Sequence, residues 1–301
     1  MLKSPGLGWL ITGGTGFLGR ALVRHILTEL KADQHTERVC IYSRGEAAQA
    51  AMRAEFGDDP RLRWFIGDVR DRERLTRAME SVDTVIHAAA LKRVEVGIYN
   101  PTEMVKTNIL GTQNVIDAAI DAGVDRVVFV SSDKAAEPLN CYGATKLVAE
   151  KLMLGAVAMA PHGPNFTAVR YGNVAGSTGS VIPTWRAAIA AKRDITIRTP
   201  DVTRFWIRAD QAVELVIKAS RALSGTLIVP ELPAYRLGDL LAAMLPEGEP
   251  SPVGLWVDQV LGPDEKLHET MLAAGEPEGP RRSCDAPRMT IEELRTELTK
   301  V

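Results

Sequence analysis

One segment constrains the fold of this chain more than any other. Thr12-Gly13-Gly14-Thr15-Gly16-Phe17-Leu18-Gly19 follows a short apolar run, Trp9-Leu10-Ile11-Thr12, and leads into apolar residues at helical spacing, Leu18, Ala21, Leu22, His25 and Ile26. Strand, glycine turn and a helix from Phe17 to about Leu30 are the opening of a βαβ unit. The turn satisfies TGxxGxxG, and Gly14, Gly16 and Gly19 within it satisfy GxGxxG. Glycines at such a junction let backbone N–H groups approach a pyrophosphate at the helix N-terminus. The bland alternative is a tight turn that binds nothing. Gly13, Thr15, Gly16, Phe17, Leu18 and Gly19 are the candidate cofactor contacts.

The alternation continues downstream. Segments 39–42, 62–66, 84–87 and 127–130 are continuous apolar runs of strand length, as expected of parallel strands buried on both faces. Helical patterns at about 46–55, 71–80, 101–122 and 141–160 separate them, which predicts right-handed crossovers and an α/β, Rossmann-like, doubly wound parallel sheet. Pro101 suits the first turn of its helix, where a missing N–H costs nothing. After Val169 the regularity falls. Segment 173–180 is rich in Gly and Ser, proline punctuates short segments beyond 231, and 247–252 and 276–280 read as exposed loops. The expected partition is a dinucleotide-binding domain over 1–172, to which 205–230 returns. A smaller, irregular C-terminal lobe of 173–204 and 231–301 would cover the carboxyl edge of the sheet.

Composition excludes several classes of function. With 36 Lys+Arg against 38 Asp+Glu, the formal charge of -2 gives no global reason to bind nucleic acid or an anionic membrane. No window approaches the ~20 uncharged apolar residues of a membrane span, and the first residues lack the make-up of a signal peptide. Cys40, Cys141 and Cys284 form no CxxC pair, and their odd number favours a reducing compartment, so a cytoplasmic location is expected. The five histidines are scattered, and no metal site is expected.

The end of the second strand tests the charge of the cofactor. A site for NAD usually places Asp or Glu there for the ribose 2′-OH, but this strand ends Ile41-Tyr42-Ser43-Arg44. Ser43 and Arg44 suit a 2′-phosphate, which predicts NADP, against the plainer reading of a solvated loop arginine. Asp68-Val69 follows the third strand where an adenine edge would lie, although Asp-x-x-Asp at 68–71 reads equally as a helix N-cap.

Tyr142-Gly143-Ala144-Thr145-Lys146 is YxxxK on a predicted helix, which puts Tyr142 and Lys146 on one face. A lysine beside a phenol lowers the phenol pKa from ~10, making a general base for a substrate hydroxyl. Ser132 after the fifth strand and Asn108 in the preceding helix complete a set that resembles the extended short-chain dehydrogenases/reductases acting on nucleotide sugars. Ser131-Ser132-Asp133-Lys134-Ala135-Ala136 and Tyr142-Gly143-Ala144-Thr145-Lys146-Leu147 are similar to the STDKA and YGATKL signature of configuration-inverting UDP-N-acetylglucosamine 4,6-dehydratases. Ile66-Gly67-Asp68-Val69-Arg70-Asp71, His87-Ala88-Ala89-Ala90-Leu91-Lys92, Arg170-Tyr171-Gly172-Asn173-Val174, Thr203-Arg204-Phe205-Trp206-Ile207 and Glu265-Lys266-Leu267-His268-Glu269 carry the resemblance from about residue 8 to 270.

The resemblance implies a chemistry. The C5 hydrogen of a hexose is not acidic until C4 is a ketone, so NADP would store the C4 hydride and return it to C6 after water leaves. Tyr142, with Lys146 and Ser132, would take the O4 proton; Lys134 would be the C5 base and Asp133 the acid for the departing 6-hydroxyl. Those roles call for a Lys134 pKa lowered from ~10.4 and an Asp133 pKa raised from ~3.9 by a desolvated cleft. Asp-Glu at the positions of Asp133-Lys134 marks retaining relatives, and simple 4-epimerases lack the pair. The lysine therefore points to the inverted product, UDP-2-acetamido-2,6-dideoxy-β-L-arabino-hexos-4-ulose.

Arg204 is the best candidate for the substrate diphosphate, with Lys92 and Asn173 next, Val181 and Pro183 on the uridine side, and Lys266 in an element that closes over the nucleotide. Ala88 and Lys92 would also face the cofactor. The chain departs from the pattern at Gly262 and Thr178, where arginines are usual, at Phe17-Leu18 for Ser-Phe, at Asp264 for a glycine, and in a shorter stretch after His268. These departures put the sugar and base in more doubt than the chemistry. An NADP-dependent epimerase or reductase is the alternative, and an NADP-sensing regulator a third reading, which the intact YxxxK opposes. The resemblance also implies a homo-oligomer built on helices 101–122 and 141–160.

Overall fold

Leu10 and Ile11 expose no surface, because the run that carries them, β1 (Leu7–Thr12), lies inside a seven-stranded sheet. The structure, a computed structural model, describes residues 7–29, 36–197, 199–246, 254–257, 261–262, 264–276 and 281–301. The expected loop at 247–252, the expected loop at 276–280 apart from Glu276, the first six residues and Leu30 lie outside these.

From β1 the chain alternates as the apolar runs predict: α1 (Phe17–Thr28), β2 (Thr36–Ser43), α2 (Glu46–Phe56), β3 (Leu62–Ile66), α3 (Arg72–Ala78), β4 (Thr84–His87), α4 (Val94–Tyr99), α5 (Pro101–Met104), α6 (Gly111–Ala122), β5 (Arg126–Val130), α7 (Cys141–Met159) and β6 (Asn165–Val169). Shorter elements follow: β7 (Asn173–Val174), α8 (Val181–Ala190), β8 (Ile195–Ile197), β9 (Thr203–Ile207), α9 (Ala209–Ser220), β10 (Leu227–Ile228), β11 (Ala234–Arg236), α10 (Leu237–Met244), β12 (Leu255–Val257) and α11 (Ile291–Leu298).

The large sheet runs β10-β6-β5-β4-β1-β2-β3 and is parallel throughout. Strand alternation divides its core in two. Trp9 and Ile11 pack with Leu22 and Ile26 of α1 and Val213 and Val216 of α9, whereas Leu10 packs with Leu75 of α3, Val115 of α6 and Met153 of α7. Helices on both faces make this the doubly wound Rossmann-like sheet expected.

A second, three-stranded sheet, β11-β9-β7, is built from the C-terminal half. Trp206 of β9 and Tyr235 of β11 meet edge to face at 5.5 Å and share a third core with Leu240 of α10 and Leu294 of α11. Thr203–Ile207 pairs within this small sheet, while α9 packs on β5 and β6 and β10 pairs with β6.

The helix expected over 101–122 is not one uniform helix. Between α5 and α6 the turns widen into a π-helical segment, Val105–Leu110, that contains Asn108. Among the described residues no helix is long and apolar enough to cross a membrane.

Candidate active site

The glycine turn has the shape its sequence demands. Gly13 holds φ +68, and a Cβ there would stand 2.9 Å from Ala89 Cα. α1 begins with Gly16 as N-cap, with no side-chain cap and no acidic residue in its first turn. Its first N–H groups and the positive end of its dipole are thus free of a side-chain acceptor. This cradle fits the pyrophosphate of a dinucleotide, with Thr15, Gly16, Phe17, Leu18 and Gly19 around it.

At the ribose end, Ser43 is buried and its Oγ accepts a hydrogen bond from Gln49 Nε2 at 3.0 Å. Arg44 is half exposed, 3.9 Å from Asp68 Oδ2. Burial would raise the Asp68 pKa, but hydrogen bonds from Arg70 and the Arg44 charge hold it below the ordinary value. The N-cap of α3 is Asp71, which accepts from Arg74 N at 2.9 Å, so Asp68 is not needed as the cap. Val69 is buried behind it. Ala88, just past β4, donates its N–H to Thr12 O at 3.3 Å. Asn108 accepts from Leu91 N at 2.8 Å and donates to Leu91 O at 2.9 Å, fixing the turn that carries exposed Lys92.

Ser132, Asp133 and Lys134 lie where β5 ends and a 3₁₀ turn, Asp133–Ala135, begins, with Ser132 as its cap. Gly143 lets α7 approach this turn, since a Cβ there would be 2.5 Å from Lys134 O. Tyr142 is thereby brought beside Ser132. Ser132 Oγ donates to Asp133 Oδ1 at 2.8 Å and acts on the Tyr142 phenol, lowering its pKa against burial. Lys146 Nζ donates to Val130 O at 2.5 Å and sits 4.0 Å over the Phe129 ring.

Two expectations about charge are corrected. Burial pushes the Tyr142 phenol up, and the opposing cation is Lys134 rather than Lys146. Burial instead pushes Lys146 itself down to about 7, against the pull of Glu150. The second correction concerns Lys134. Burial favours its neutral form, but Asp133 and Glu269 outweigh burial and hold the ammonium above its ordinary range. Asp133 is raised as expected, by burial first, with Lys134 opposing and Glu269 reinforcing.

Glu269 is the residue the sequence reading missed. Its Oε1 lies 3.1 Å from Lys134 Nζ, the same distance as Asp133 Oδ1. The signal was available in Glu265-Lys266-Leu267-His268-Glu269, read there only as a closing element.

Lys134 and Glu269 open onto a cavity of about 640 Å³ lined also by Asn173, Arg204, Lys266 and the apolar Ile98, among others, whereas Ser132, Asp133, Tyr142, Lys146 and Lys92 are not in its wall. Asn173 Oδ1 accepts from Lys134 Nζ at 3.2 Å. Arg204 is buried and already engaged: its Nη1 donates to Thr203 O at 2.8 Å and Lys266 O at 3.0 Å, its Nη2 to Glu265 at 3.2 Å. Lys266 Nζ bonds Glu137 O. Val181, at the start of α8, packs on the third core, and neither it nor Pro183 lines this cavity. Gly262 and Asp264, two of the departures, do line it.

Comparison with known proteins matches this arrangement. A family model described as polysaccharide biosynthesis protein matches residues 9–288. The UDP-N-acetylglucosamine 4,6-dehydratase (inverting) of Campylobacter jejuni subsp. jejuni serotype O:2 is 41% identical over 268 residues, 88% of this chain and 77% of that protein. A UDP-glucose 4-epimerase of Rickettsia felis is 39% identical over 241 residues, 79% of this chain and 70% of its own. The X-ray structure of Pen from Bacillus thuringiensis superposes with a TM-score of 0.90 at 36% identity, covering 100% of this chain and 98% of that one.

Proposed function

This chain belongs to the polysaccharide biosynthesis protein family, and from that premise we propose that it is a hydro-lyase of sugar nucleotides, a C5-inverting UDP-N-acetylglucosamine 4,6-dehydratase that works with NADP. The observation that carries the proposal is the Asp133–Lys134 pair, 3.1 Å apart, with Ser132 Oγ bonded to Asp133 and Lys134 lining the cavity.

A bound nicotinamide dinucleotide, held at the α1 cradle, would keep the C4 hydride until it is returned to C6. Tyr142, as phenolate, takes the O4 proton, Ser132 Oγ holds the same oxygen, and the charge of Lys134 favours that phenolate against burial. With C4 a ketone, the C5–H bond breaks toward neutral Lys134 Nζ. The C6–O bond breaks as Asp133 gives its proton to the leaving hydroxyl, and one water departs. The raised pKa of Asp133 suits an acid that must hold a proton near neutrality. Inversion follows when a proton is delivered to C5 on the face opposite the one from which Lys134 removed it. Arg204, Lys266, Asn173 and Lys92 are assigned to the nucleotide diphosphate and sugar, with Val181 and Pro183 in a supporting role outside the cavity wall.

The Rickettsia relative named a 4-epimerase favours C4 epimerisation as the second reading. Mass separates the two, because only dehydration removes a water. Purified protein incubated with UDP-N-acetylglucosamine and catalytic NADP in D₂O should yield a product lighter by one water, deuterated at C5 and of L-configuration. Lys134→Ala should lose dehydration while slow C4 oxidation survives; a Lys134→Ala variant that dehydrates normally would overturn the assigned roles.

A further inference from the structure

We propose that Glu269 is a positioning residue for the dehydration, an inference that rests on the dehydratase reading: its carboxylate, closing on Lys134 from the C-terminal lobe, sets the pH at which the Asp133–Lys134 pair can act.

The geometry makes the case. Glu269 is 3% exposed, and its Oε1 faces both Lys134 Nζ at 3.1 Å and Arg204 Nε at 3.7 Å. Its Oε2, like Asp133 Oδ2, is buried with no hydrogen-bond partner among the described residues. A buried carboxylate with a bare oxygen is tolerated only beside opposite charge. The charged and titratable groups facing the Glu269–Lys134 contact are Asp133 and Tyr142 from the large domain, Arg204 and Tyr235 from the small sheet, and Lys266 from Glu269's own segment. Two carboxylates from distant parts of the chain therefore converge on one ammonium.

That arrangement works on both partners of the pair. Lys134 serves as the C5 base only after losing a proton, and a second carboxylate opposes that loss. Asp133 serves as the acid only while protonated, and a like charge nearby opposes its ionisation. Neutralising Glu269 without changing its shape must therefore move the ionisation of Lys134 and of Asp133 in the same direction, toward lower pH. A merely structural residue would change the rate and leave both midpoints in place.

The test compares wild type, Glu269→Gln and Glu269→Asp. The first readout needs no turnover: acetylation of Lys134 by acetic anhydride at pH 8, followed by peptide mass spectrometry on the cofactor-loaded protein. Each unit by which the amine midpoint falls raises the neutral fraction tenfold, so Glu269→Gln should acetylate at least tenfold faster at Lys134. Glu269→Asp, which keeps the charge, should stay near wild type. Equal rates in wild type and Glu269→Gln would overturn the inference. The second readout is the pH profile of kcat/KM, in which Glu269→Gln should shift both limbs toward acid; a lower rate with unmoved limbs would also overturn it. If Lys134 responds to Glu269→Gln but wild type removes no water from UDP-N-acetylglucosamine, the dehydratase reading has failed and the ion pair stands.

Discussion

Arg170 and Glu150 form a doubly hydrogen-bonded ion pair in which neither side chain has any solvent exposure: Nη2 donates to Oε1 at 2.5 Å and Nε to Oε2 at 3.2 Å. Arg170 follows β6, and Glu150 lies on α7 one turn beyond Lys146. The same guanidinium donates to Glu276 Oε2 at 2.6 Å and to Met271 O at 2.9 Å, so a single buried cation fastens the C-terminal lobe to the large sheet. Removing one partner of a buried pair strands the other charge, at a cost of about 3–5 kcal/mol. Arg170→Met is expected to lose about that much stability in urea unfolding. A loss under ~1 kcal/mol would mean that Glu150 and Glu276 find protons or partners elsewhere.

Lys146 gives the protein a pH-dependent stability of unusual sign. Burial lowers its pKa to about 7 in the folded state, whereas in the unfolded chain it returns to ~10.4. Between those values the unfolded state binds more protons, so stability rises with pH. The destabilisation is fully present below pH ~7 and is relieved as pH approaches ~10.4. Urea midpoints of cofactor-free wild type, taken relative to Lys146→Met, should therefore climb through that window. Parallel curves for the two proteins would show that Lys146 stays charged when folded.

The large sheet was legible because parallel strands buried on both faces write themselves as continuous apolar runs. Its motifs could be placed because Gly13 and Gly143 mark the two backbone approaches that shape the site. The small sheet was not legible: β7 and β11 have two and three residues, and each pairs with β9 across a long stretch of chain. The π-helical segment at Asn108 escaped because one wider turn barely disturbs the apolar spacing of a helix. The expected lowering of Lys134 failed for a related reason. It rested on desolvation of the cleft, which Asp133 and a second carboxylate outweigh, and that second carboxylate, Glu269, reaches Lys134 only through the folding of a distant segment.

On the NADP reading proposed above, cofactor choice turns on Arg44, the exposed cation at the end of β2. A guanidinium bonded to the 2′-phosphate contributes about 1.5–3 kcal/mol, equivalent to roughly tenfold to a hundredfold in affinity. Arg44→Ala should weaken NADP binding by about that factor in calorimetry and leave NAD within about twofold. Equal losses for both dinucleotides would place Arg44 on the shared pyrophosphate or ribose instead.

Apolar side chains left in water on the outer helices bear on the oligomeric state. Leu110, at the end of the π-helical segment, is 53% exposed and Val148 on α7 is 42% exposed, with Val105 and Met159 exposed on the same two helical stretches. Single exposed apolar residues are ordinary on any surface, but here they fall on the two segments, 101–122 and 141–160, for which the sequence resemblance implies a shared interface. Burying each would contribute on the order of 1–2 kcal/mol per chain, and a twofold axis counts every contact twice. Light scattering should then give the wild type a mass of at least two 32.7 kDa chains. Leu110→Arg with Val148→Arg should reduce it to one, since a charge forced into such a contact is neither paired nor solvated. A wild-type mass of one chain would remove the interface, and a double variant that stays associated would move it to another face.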